Sequence, residues 1–206
     1  MMNVLGLDLS MTATGIAFPD GRTRTVATNA KHKDARLAVI RDAVTLALAG
    51  VDLVVMEEAP PGLKGPAIKA IHMVQGAVRV ALLDVGVPYA VVNPSTLKAY
   101  ATGKKGADKT AMAMAAFKRV ALEFPDDNQC DAYWLRAMGM DRFGCAVVAV
   151  PQAQRAFLDS VDWPKVPDPD PESSFYEPVL LSARLDAGSP VRVGISDPVP
   201  CHFEAR

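Results

Sequence analysis

Three short strand-like segments at the start of the chain constrain its fold more than any other feature. Residues 3–9 form a mostly apolar run bounded by polar residues, and residues 14–18 and 23–28 follow at close intervals. Pro19-Asp20-Gly21 separates the second segment from the third. This tripeptide is typical of a tight turn, because proline presets one backbone angle and glycine accepts positive φ. The second and third segments are therefore predicted to form an antiparallel hairpin.

After this hairpin the pattern alternates between helices and strands. Apolar residues recur with helical spacing over residues 33–48, and residues 66–85 read as a long helix that ends near Gly86. Residues 52–56 and 89–92 are nearly continuous apolar runs, which is typical of strands that are buried on both faces. Three meandering strands followed by this alternation predict an α/β domain with a mixed sheet.

Capping residues mark three further helices. Asn93 or Ser95 is placed to cap a short helix, and Asp108 is placed to cap a helix that runs to about residue 122. Asp126 or Asp127 begins the last core helix. The first domain is therefore expected to span residues 1–150.

Residues 151–206 are predicted to be a helix, a linker and a small extension. Residues 152–161 have helical character, and the alternating prolines of residues 167–171 predict a stiff, extended linker. Residues 178–195 are predicted to form a small β element. The tail is acidic, with four basic and nine acidic residues from Asp159 onward.

Composition limits the class of protein. Half of the residues are apolar and 22% are charged, which excludes a disordered chain. The longest charge-free stretches, residues 85–97 and 143–154, are shorter than the roughly 20 apolar residues that cross a bilayer. No signal peptide is predicted. Three cysteines without paired spacing are typical of reduced thiols, so we expect a cytoplasmic protein without a membrane partner.

Positive charge is concentrated in one part of a nearly neutral chain. The net charge is −1, yet residues 98–119 carry six basic residues against the single acid Asp108. Such a patch suits phosphate binding, although a solvated helix face gives the same pattern.

Acidic residues follow two of the predicted buried strands. Asp8 lies at the end of the first strand, where a buried carboxylate is unfavourable unless it is paired or holds a cation. Glu57 and Glu58 follow the strand of residues 52–56, and strand alternation sends their side chains to opposite faces. Glu57 closes the strand more directly, so we expect it to share a face with Asp8 if the two strands are neighbours.

Acids also occupy the last core helix. Asp127 and Asp131 are four residues apart, and Asn128 and Asp131 are three apart, so either pair lies on one helix face. Capping explains Asp127 better than Asp131, which lies deeper in the helix. If the strands and the helix converge, several carboxylates meet and require a counter-ion. Mg²⁺ or Mn²⁺ meets this need, and two such ions support phosphodiester hydrolysis.

The order of these segments resembles that of RuvC-type Holliday junction resolvases, members of the ribonuclease H-like superfamily, in particular a phage or actinobacterial branch. The resemblance covers roughly residues 1–150. It is carried by Gly6-Leu7-Asp8-Leu9-Ser10-Met11-Thr12-Ala13-Thr14-Gly15, Val54-Val55-Met56-Glu57, Asn93-Pro94-Ser95-Thr96-Leu97-Lys98, Thr102-Gly103 through Ala107-Asp108-Lys109, and Asp127-Asn128-Gln129-Cys130-Asp131-Ala132.

The resemblance implies a ribonuclease H-like mixed sheet with flanking helices and a metal site. Asp8, Glu57 and Asp131 match the metal-binding acids of the family, and its fourth acidic position is occupied here by Asn128. Asn128 offers a carbonyl oxygen without charge, and Asp127 is an alternative one residue away. The implied cofactor is Mg²⁺, with Mn²⁺ as a substitute.

The resemblance also implies a DNA partner. Lys98 and Lys109 match family positions associated with DNA phosphates or the scissile region, and Lys104 and Lys105 are expected to assist in holding the DNA backbone. The implied activity is metal-dependent cleavage of branched DNA such as a four-way junction.

A symmetric homodimer is implied as well. Ile71, Val74, Val78 and Leu82 form an apolar stripe on the helix of residues 66–85, which is either an interface or part of the core.

Two other function classes fit parts of the sequence. A phosphotransferase resembling the actin and sugar-kinase group uses an early Asp beside a Thr-Gly turn, but it needs a second domain that 206 residues do not accommodate. A catalytically weak or inactive DNA-binding or scaffold protein of the same fold is suggested by Asn128.

Overall fold

The protein is described by a computed structural model, which covers residues 2–60, 62 and 65–166. The predicted linker of residues 167–171 and the β element of residues 178–195 lie outside the described residues. The division of the chain after residue 150 stays a prediction.

A five-stranded mixed sheet forms the centre of the fold. Its strands are β1 (Val4–Asp8), β2 (Ala13–Ala17), β3 (Thr23–Ala27), β4 (Leu53–Glu57) and β5 (Tyr89–Val92). The spatial order is β3-β2-β1-β4-β5, in which the first three strands pair antiparallel and β4 pairs parallel with both β1 and β5. The predicted mixed sheet and hairpin are confirmed, and β1 and β4 are neighbours.

Six α-helices flank the sheet in the described part of the chain. They are α1 (Ala35–Ala47), α2 (Pro66–Val85), α3 (Pro94–Thr102), α4 (Lys109–Val120), α5 (Asp127–Arg142) and α6 (Gln152–Arg155). Short 3-10 turns cover Ala30–His32 and Ala156–Ser160. The single helix predicted over residues 152–161 is thus one α-helical turn that continues as a 3-10 turn.

Side-chain caps begin three of these helices at predicted residues. Asn93 accepts a hydrogen bond from the Ser95 amide, Asp108 from that of Ala111, and Asp126 from that of Gln129. Each side chain satisfies an amide that has no partner within its helix. Asn93 and Asp126 therefore fill the two cap positions for which the sequence left alternatives.

The helices form a layer on each face of the sheet. Helices α1 and α2 pack on one face, against apolar residues such as Leu5, Leu7 and Val54. Helices α3, α4 and α5 pack on the other, and the fully buried Trp134 and Leu135 place α5 at the centre of that core.

Two glycines let α5 approach the sheet closely. A Cβ added to Gly6 of β1 would lie 2.0 Å from the main-chain oxygen of Ala132. One added to Gly15 of β2 would lie 2.1 Å from that of Asn128. Because no side chain separates the backbones here, the first turns of α5 lie directly against β1 and β2.

The apolar stripe predicted on α2 belongs mainly to the core. Val74, Val78 and Leu82 are fully buried against the sheet, and Ile71 is half-buried. The structure therefore favours the core alternative for this stripe. The outward side of α2 carries other apolar residues, with Met73, Val80 and Leu83 exposed.

The residues after position 150 that the structure describes pack on the α5 side of the sheet. Leu158 is buried in that core, and the Trp163 indole nitrogen donates to the Leu158 carbonyl over 2.7 Å. None of the helices in the described part of the chain has the length and apolar character of a membrane span.

Candidate active site

The ends of β1 and β4 bring two carboxylates side by side. Leu7 pairs with Met56 in the parallel register, so the next residues, Asp8 and Glu57, are neighbours across the two strands. Val4 and Gly6 of β1, like Leu53 and Val55 of β4, face α5. Residues two apart in a strand share a face, so the side chains of Asp8 and Glu57 point toward α5 as well. Glu57 thus shares the face of Asp8, as expected for the acid that closes the strand more directly.

Glu58 belongs to a different environment. Its amide donates to the Val92 carbonyl over 2.8 Å, and its carboxylate accepts a hydrogen bond from the Asn93 side chain over 3.3 Å. Glu58 therefore links β4 to the start of α3 and does not join the neighbouring acids.

Helix α5 supplies the third carboxylate. Asp131 lies in its second turn, one turn after Asp127, and it contributes to the electrostatic environment of both Asp8 and Glu57. The contact between Gly15 and the Asn128 backbone places this part of α5 beside the ends of β1 and β2. Asp8, Glu57 and Asp131, which we call the carboxylate cluster, therefore come from three different elements.

Burial and mutual repulsion raise the pKa of each member of the carboxylate cluster. Burial raises the pKa of Asp8 to about 7, with repulsion from Asp131 and Asp127 adding to the effect. Burial likewise raises the pKa of Glu57 to about 8, assisted by Asp8 and Asp131. The pKa of Asp131 rises to about 6, again through burial and then through Asp127. The cluster is therefore short of positive charge.

Asn128 contacts the cluster through its side chain. With its amide oriented to satisfy its neighbours, the amide nitrogen donates to the Ala13 carbonyl over 3.2 Å and to Asp8 Oδ2 over 3.3 Å. Asn128 thus joins α5 to β2 and places a donor, without a charge, on the Asp8 carboxylate.

Two of the four predicted lysines lie close enough to influence the carboxylates. Lys98 lowers the pKa of Glu57 and Asp131, which opposes part of the effect of burial. Lys109 has the same effect on Asp8 and Asp131, and its ammonium forms a salt bridge with Asp127. Both lysines remain available to solvent at the edge of the cluster.

The other two lysines, Lys104 and Lys105, lie in the exposed connection between α3 and α4. Lys105 contacts an aromatic ring, since its ammonium lies 5.8 Å from the centroid of Phe157. The four lysines therefore divide into a pair beside the cluster and a pair on this connection.

The chemistry of the cluster fits a hard divalent cation. Three carboxylates with little positive charge between them are the oxygen donors that Mg²⁺ and Mn²⁺ prefer. Among the residues that the structure describes, however, no group of three His, Cys, Asp or Glu side chains is already arranged around a common point for an ion. The donor set is present, and binding would require its side chains to turn toward one another.

Polar residues that the sequence analysis did not select hold this site in place. Gln129 accepts a hydrogen bond from Thr23 over 2.6 Å and donates to Thr25 over 3.1 Å. Thr25 donates to Asp126 over 2.5 Å, so β3 is tied to the beginning of α5. These partners are about 100 residues apart in sequence, and no local pattern identifies them.

Gln75 supports the end of β4. It is buried on α2, and its side-chain nitrogen donates to the Glu57 carbonyl over 3.0 Å. A sequence signal for this residue does exist, because Gln75 is a polar residue within the apolar stripe that contains Val74 and Val78.

Comparison with solved structures places this geometry in a known fold. The chain matches the structure of Thermus thermophilus RuvC with a TM-score of 0.59 and 22% identity. The match covers 72% of this chain and all of the other. This chain has the RuvC fold. A structure of T. thermophilus RuvC in complex with a Holliday junction substrate matches with a TM-score of 0.61, 21% identity and the same coverage of both chains. No family model and no curated protein sequence matches the chain.

The RuvC fold confirms the predicted ribonuclease H-like architecture of a mixed sheet with flanking helices. The described residues contain one mixed sheet, whereas the phosphotransferase considered above needs two such domains. Asp8, Glu57 and Asp131 lie together in this fold, with Asn128 against Asp8 and Asp127 against Lys109.

Proposed function

We propose that the protein is a metal-dependent endonuclease that hydrolyses phosphodiester bonds in branched DNA, with Holliday junctions as its principal substrate. The observation that carries this proposal is the carboxylate cluster, in which three half-buried acids from β1, β4 and α5 share one face of the sheet. The RuvC fold supports it, because one of the matching structures is a complex with a Holliday junction.

Asp8, Glu57 and Asp131 are the proposed metal ligands, and Asn128 or Asp127 is the proposed fourth group. A bound Mg²⁺ or Mn²⁺ would supply activation of water and stabilisation of the leaving oxygen. Within the protein, partial burial removes part of the hydration of the three carboxylates, and Lys98 and Lys109 compensate only part of their charge. The salt bridge between Asp127 and Lys109 holds a positive charge at the edge of the site, where a DNA phosphate would enter.

The proposed DNA contacts follow the two pairs of lysines. Lys98 and Lys109 would bind phosphates next to the scissile bond, because they already influence the carboxylates. Lys104 and Lys105 would bind the backbone farther away. We expect affinity to fall steeply with salt concentration, since each neutralised phosphate releases counterions.

We further propose that the protein acts as a homodimer, which would place two active sites on two strands of a junction. The exposed side of α2 supports this proposal. Met73, Val80 and Leu83 are 41%, 56% and 69% exposed and recur with helical spacing, so they form an apolar stripe that faces away from the core.

The decisive experiment compares Asp8→Asn with the wild-type protein on junction, flap and duplex DNA, in Mg²⁺ and in Mn²⁺. We expect Asp8→Asn to lose junction cleavage by about a hundredfold or more, since a bound ion supplies several kcal/mol of transition-state stabilisation. Junction binding should change little. Asp52→Asn is a suitable control, because Asp52 precedes β4 and accepts a hydrogen bond from the Asn3 amide over 2.7 Å. Mg²⁺-dependent cleavage by Asp8→Asn at the wild-type rate would overturn the proposal.

A second function is favoured by one observation. Asn128 replaces a charged ligand with an amide and turns a donor toward Asp8, which weakens the site for a second cation. The alternative is a DNA-binding or scaffold protein of the same fold with little or no cleavage. Tight junction binding by the wild-type protein, without cleavage in either metal, would support this alternative.

A further inference from the structure

The connection between α3 and α4 is supported by residues that follow the predicted nuclease domain. We call residues 103–106 the basic loop, because it contains Lys104 and Lys105. We call residues 151–160 the supporting segment; it contains α6 and the following 3-10 turn. Its functional contribution is not implied by the resemblance, which ends near residue 150.

The first contact joins Gln154 to the start of the basic loop. Gly103 ends α3 with a φ of 82°, and a Cβ at this position would lie 2.8 Å from the Gln154 side-chain nitrogen. Gln154 is 9% exposed, and its side-chain oxygen accepts a hydrogen bond from Arg119 over 2.8 Å. Arg119 also donates to the Ala149 carbonyl over 2.8 Å. The amide of Gln154 is therefore fixed on one side by Arg119 and lies against the loop on the other.

The second contact joins Phe157 to Lys105. The Lys105 ammonium lies 5.8 Å from the centroid of the Phe157 ring, which is within the range of a cation–π interaction. Phe157 is itself held in place, because the next residue, Leu158, is buried in the core. One face of the ammonium thus meets the ring, while its three N–H donors allow a further partner on the open side.

Lys105 has no acidic partner among the described residues. None of the salt bridges among the described residues involves Lys105 or Lys104. Lys109, by contrast, is paired with Asp127. The basic loop therefore presents positive charge that is available for an anionic partner.

The supporting segment and helix α3 are both attached to α5. Tyr100 donates to Asp141 over 3.0 Å, and Arg155 forms a salt bridge with Asp141 over 2.8 Å. Helix α3, which leads into the basic loop, and the supporting segment therefore share one anchor on α5.

We propose that Gln154 and Phe157 are positioning residues that hold the basic loop, so that Lys105 binds a DNA phosphate outside the scissile position. This inference rests on the proposed function. The supporting segment is then part of the DNA-binding surface.

The main test measures junction affinity in the Asp8→Asn background, where DNA stays uncut. We expect Lys105→Met and Phe157→Leu each to weaken binding by about threefold to fivefold, the size of an exposed cation–π contact. The double variant should bind no more weakly than Lys105→Met alone, because the two substitutions remove the same interaction. Phe157→Tyr, which keeps the ring, should restore wild-type affinity.

Neutral methylphosphonate linkages identify the phosphate. Linkages are placed singly at successive positions on each side of the cleavage position. At one of these positions the linkage should weaken binding by the wild-type protein and have no additional effect on Lys105→Met. Lys118→Met serves as the matched control, since Lys118 lies at the opposite end of α4. Its effect on the binding free energy should add to the effects of Phe157→Leu and of the linkage.

Loop position is measured separately in the DNA-free protein by tryptic cleavage after Lys104 and Lys105. Gln154→Ala and Phe157→Leu should speed this cleavage while the melting temperature changes little.

Unchanged affinity of Lys105→Met, or full additivity of Lys105→Met with Phe157→Leu, would overturn the inference even if the protein cleaves junctions. Failure of the wild-type protein to bind or cleave junctions would overturn the proposed function, and this inference with it.

Discussion

Single carboxylates in the cluster are expected to destabilise the protein when no cation is bound. The pKa of Glu57 is raised to about 8 from an ordinary value of 4.5, because the folded environment disfavours its ionised form. Below pH 4 the group is protonated in both the folded and unfolded states and has no effect on stability. As the pH rises toward 8, the unfolded chain ionises more readily, so the free energy of unfolding decreases.

This linkage predicts a pH-dependent effect of Glu57→Gln. The variant should melt at a higher temperature than the wild-type protein at pH 8 and at a similar temperature at pH 4.5. A difference of about 1 kcal/mol in the free energy of unfolding corresponds to a shift of roughly 2–4 °C in melting temperature for a chain of this size. Added Mg²⁺ should raise the melting temperature of the wild-type protein more than that of the variant. Glu58→Gln is the control, since Glu58 lies outside the cluster; an equal response of both variants would contradict the prediction.

Gly15 allows the contact between β2 and α5, and this gives a second prediction at the residue scale. A Cβ at position 15 would overlap the Asn128 backbone, so Gly15→Ala should displace the first turn of α5. We expect a loss of about 1–3 kcal/mol in the free energy of unfolding, together with weaker Mn²⁺ binding by calorimetry. Gly106→Ala has open space around its Cβ and should have little effect on either quantity. Wild-type Mn²⁺ affinity in Gly15→Ala would show that this contact does not position the site.

Strand alternation allowed part of the site to be predicted from single residues. The order of acids along the chain pointed to Asp8, to an acid after β4 and to the acids of α5. Glu57 was chosen over Glu58 because it closes the strand more directly, and the resemblance selected Asp131. The salt bridge between Lys109 and Asp127 was not predictable, because it depends on how two helix N-termini meet in space. Gln129 was missed for the same reason, since its partners lie on a distant strand.

At the scale of elements, the N-terminus of α5 determines where Asp131 lies. Asp126 caps this helix and also accepts a hydrogen bond from Thr25. Burial opposes the charge of Asp126, yet the hydrogen bonds from Thr25 and Gln129 hold its pKa below the ordinary value. One carboxylate therefore fixes both the start of the helix and its contact with β3.

Asp126→Ala should for this reason affect a site that Asp126 does not touch. Loss of the cap is expected to lower the free energy of unfolding by about 1 kcal/mol. It should also weaken Mn²⁺ binding, because the first turn of α5 loses its attachment to β3. Asp126→Asn keeps a capping oxygen and should retain most of both properties. An Asp126→Ala protein that loses stability but keeps full Mn²⁺ affinity would limit the cap to a role in folding.

Element boundaries were predictable where proline, glycine or an apolar run marks them. Helix α2 and strand β5 have the predicted bounds, and the helix from Lys109 ends at Val120, close to the predicted residue 122. The helix predicted from residue 33 begins at Ala35, because residues 30–32 form a separate 3-10 turn. The stripe on α2 was open to two interpretations, since a core face and an interface have the same sequence pattern.

At the scale of the whole molecule, the two faces of the sheet have separate roles. The side with α3, α4 and α5 carries the carboxylates and the lysines, whereas α2 presents its exposed apolar stripe on the other side. A dimer formed through α2 would leave both sites free to bind DNA.

Val80→Arg tests the proposed dimer. A charge in the centre of the stripe should raise the dimer dissociation constant by about tenfold or more, which is about 1.4 kcal/mol. Analytical ultracentrifugation measures this change, and paired incision of a junction should become two independent nicks. Met114→Arg is the control, because Met114 is an exposed apolar residue of α4 on the opposite side of the sheet. A wild-type protein that sediments as a monomer at all concentrations would contradict the proposal.

The backbone contacts at Gly6 and Gly15 have an entropic consequence for ion capture. Asp8 and Asp131 project from main chains that touch each other, so only two side-chain torsions separate each carboxylate from a rigid frame. Gathering these ligands around an ion then requires rotamer changes without a shift of the main chain, and the loss of conformational freedom on binding stays small.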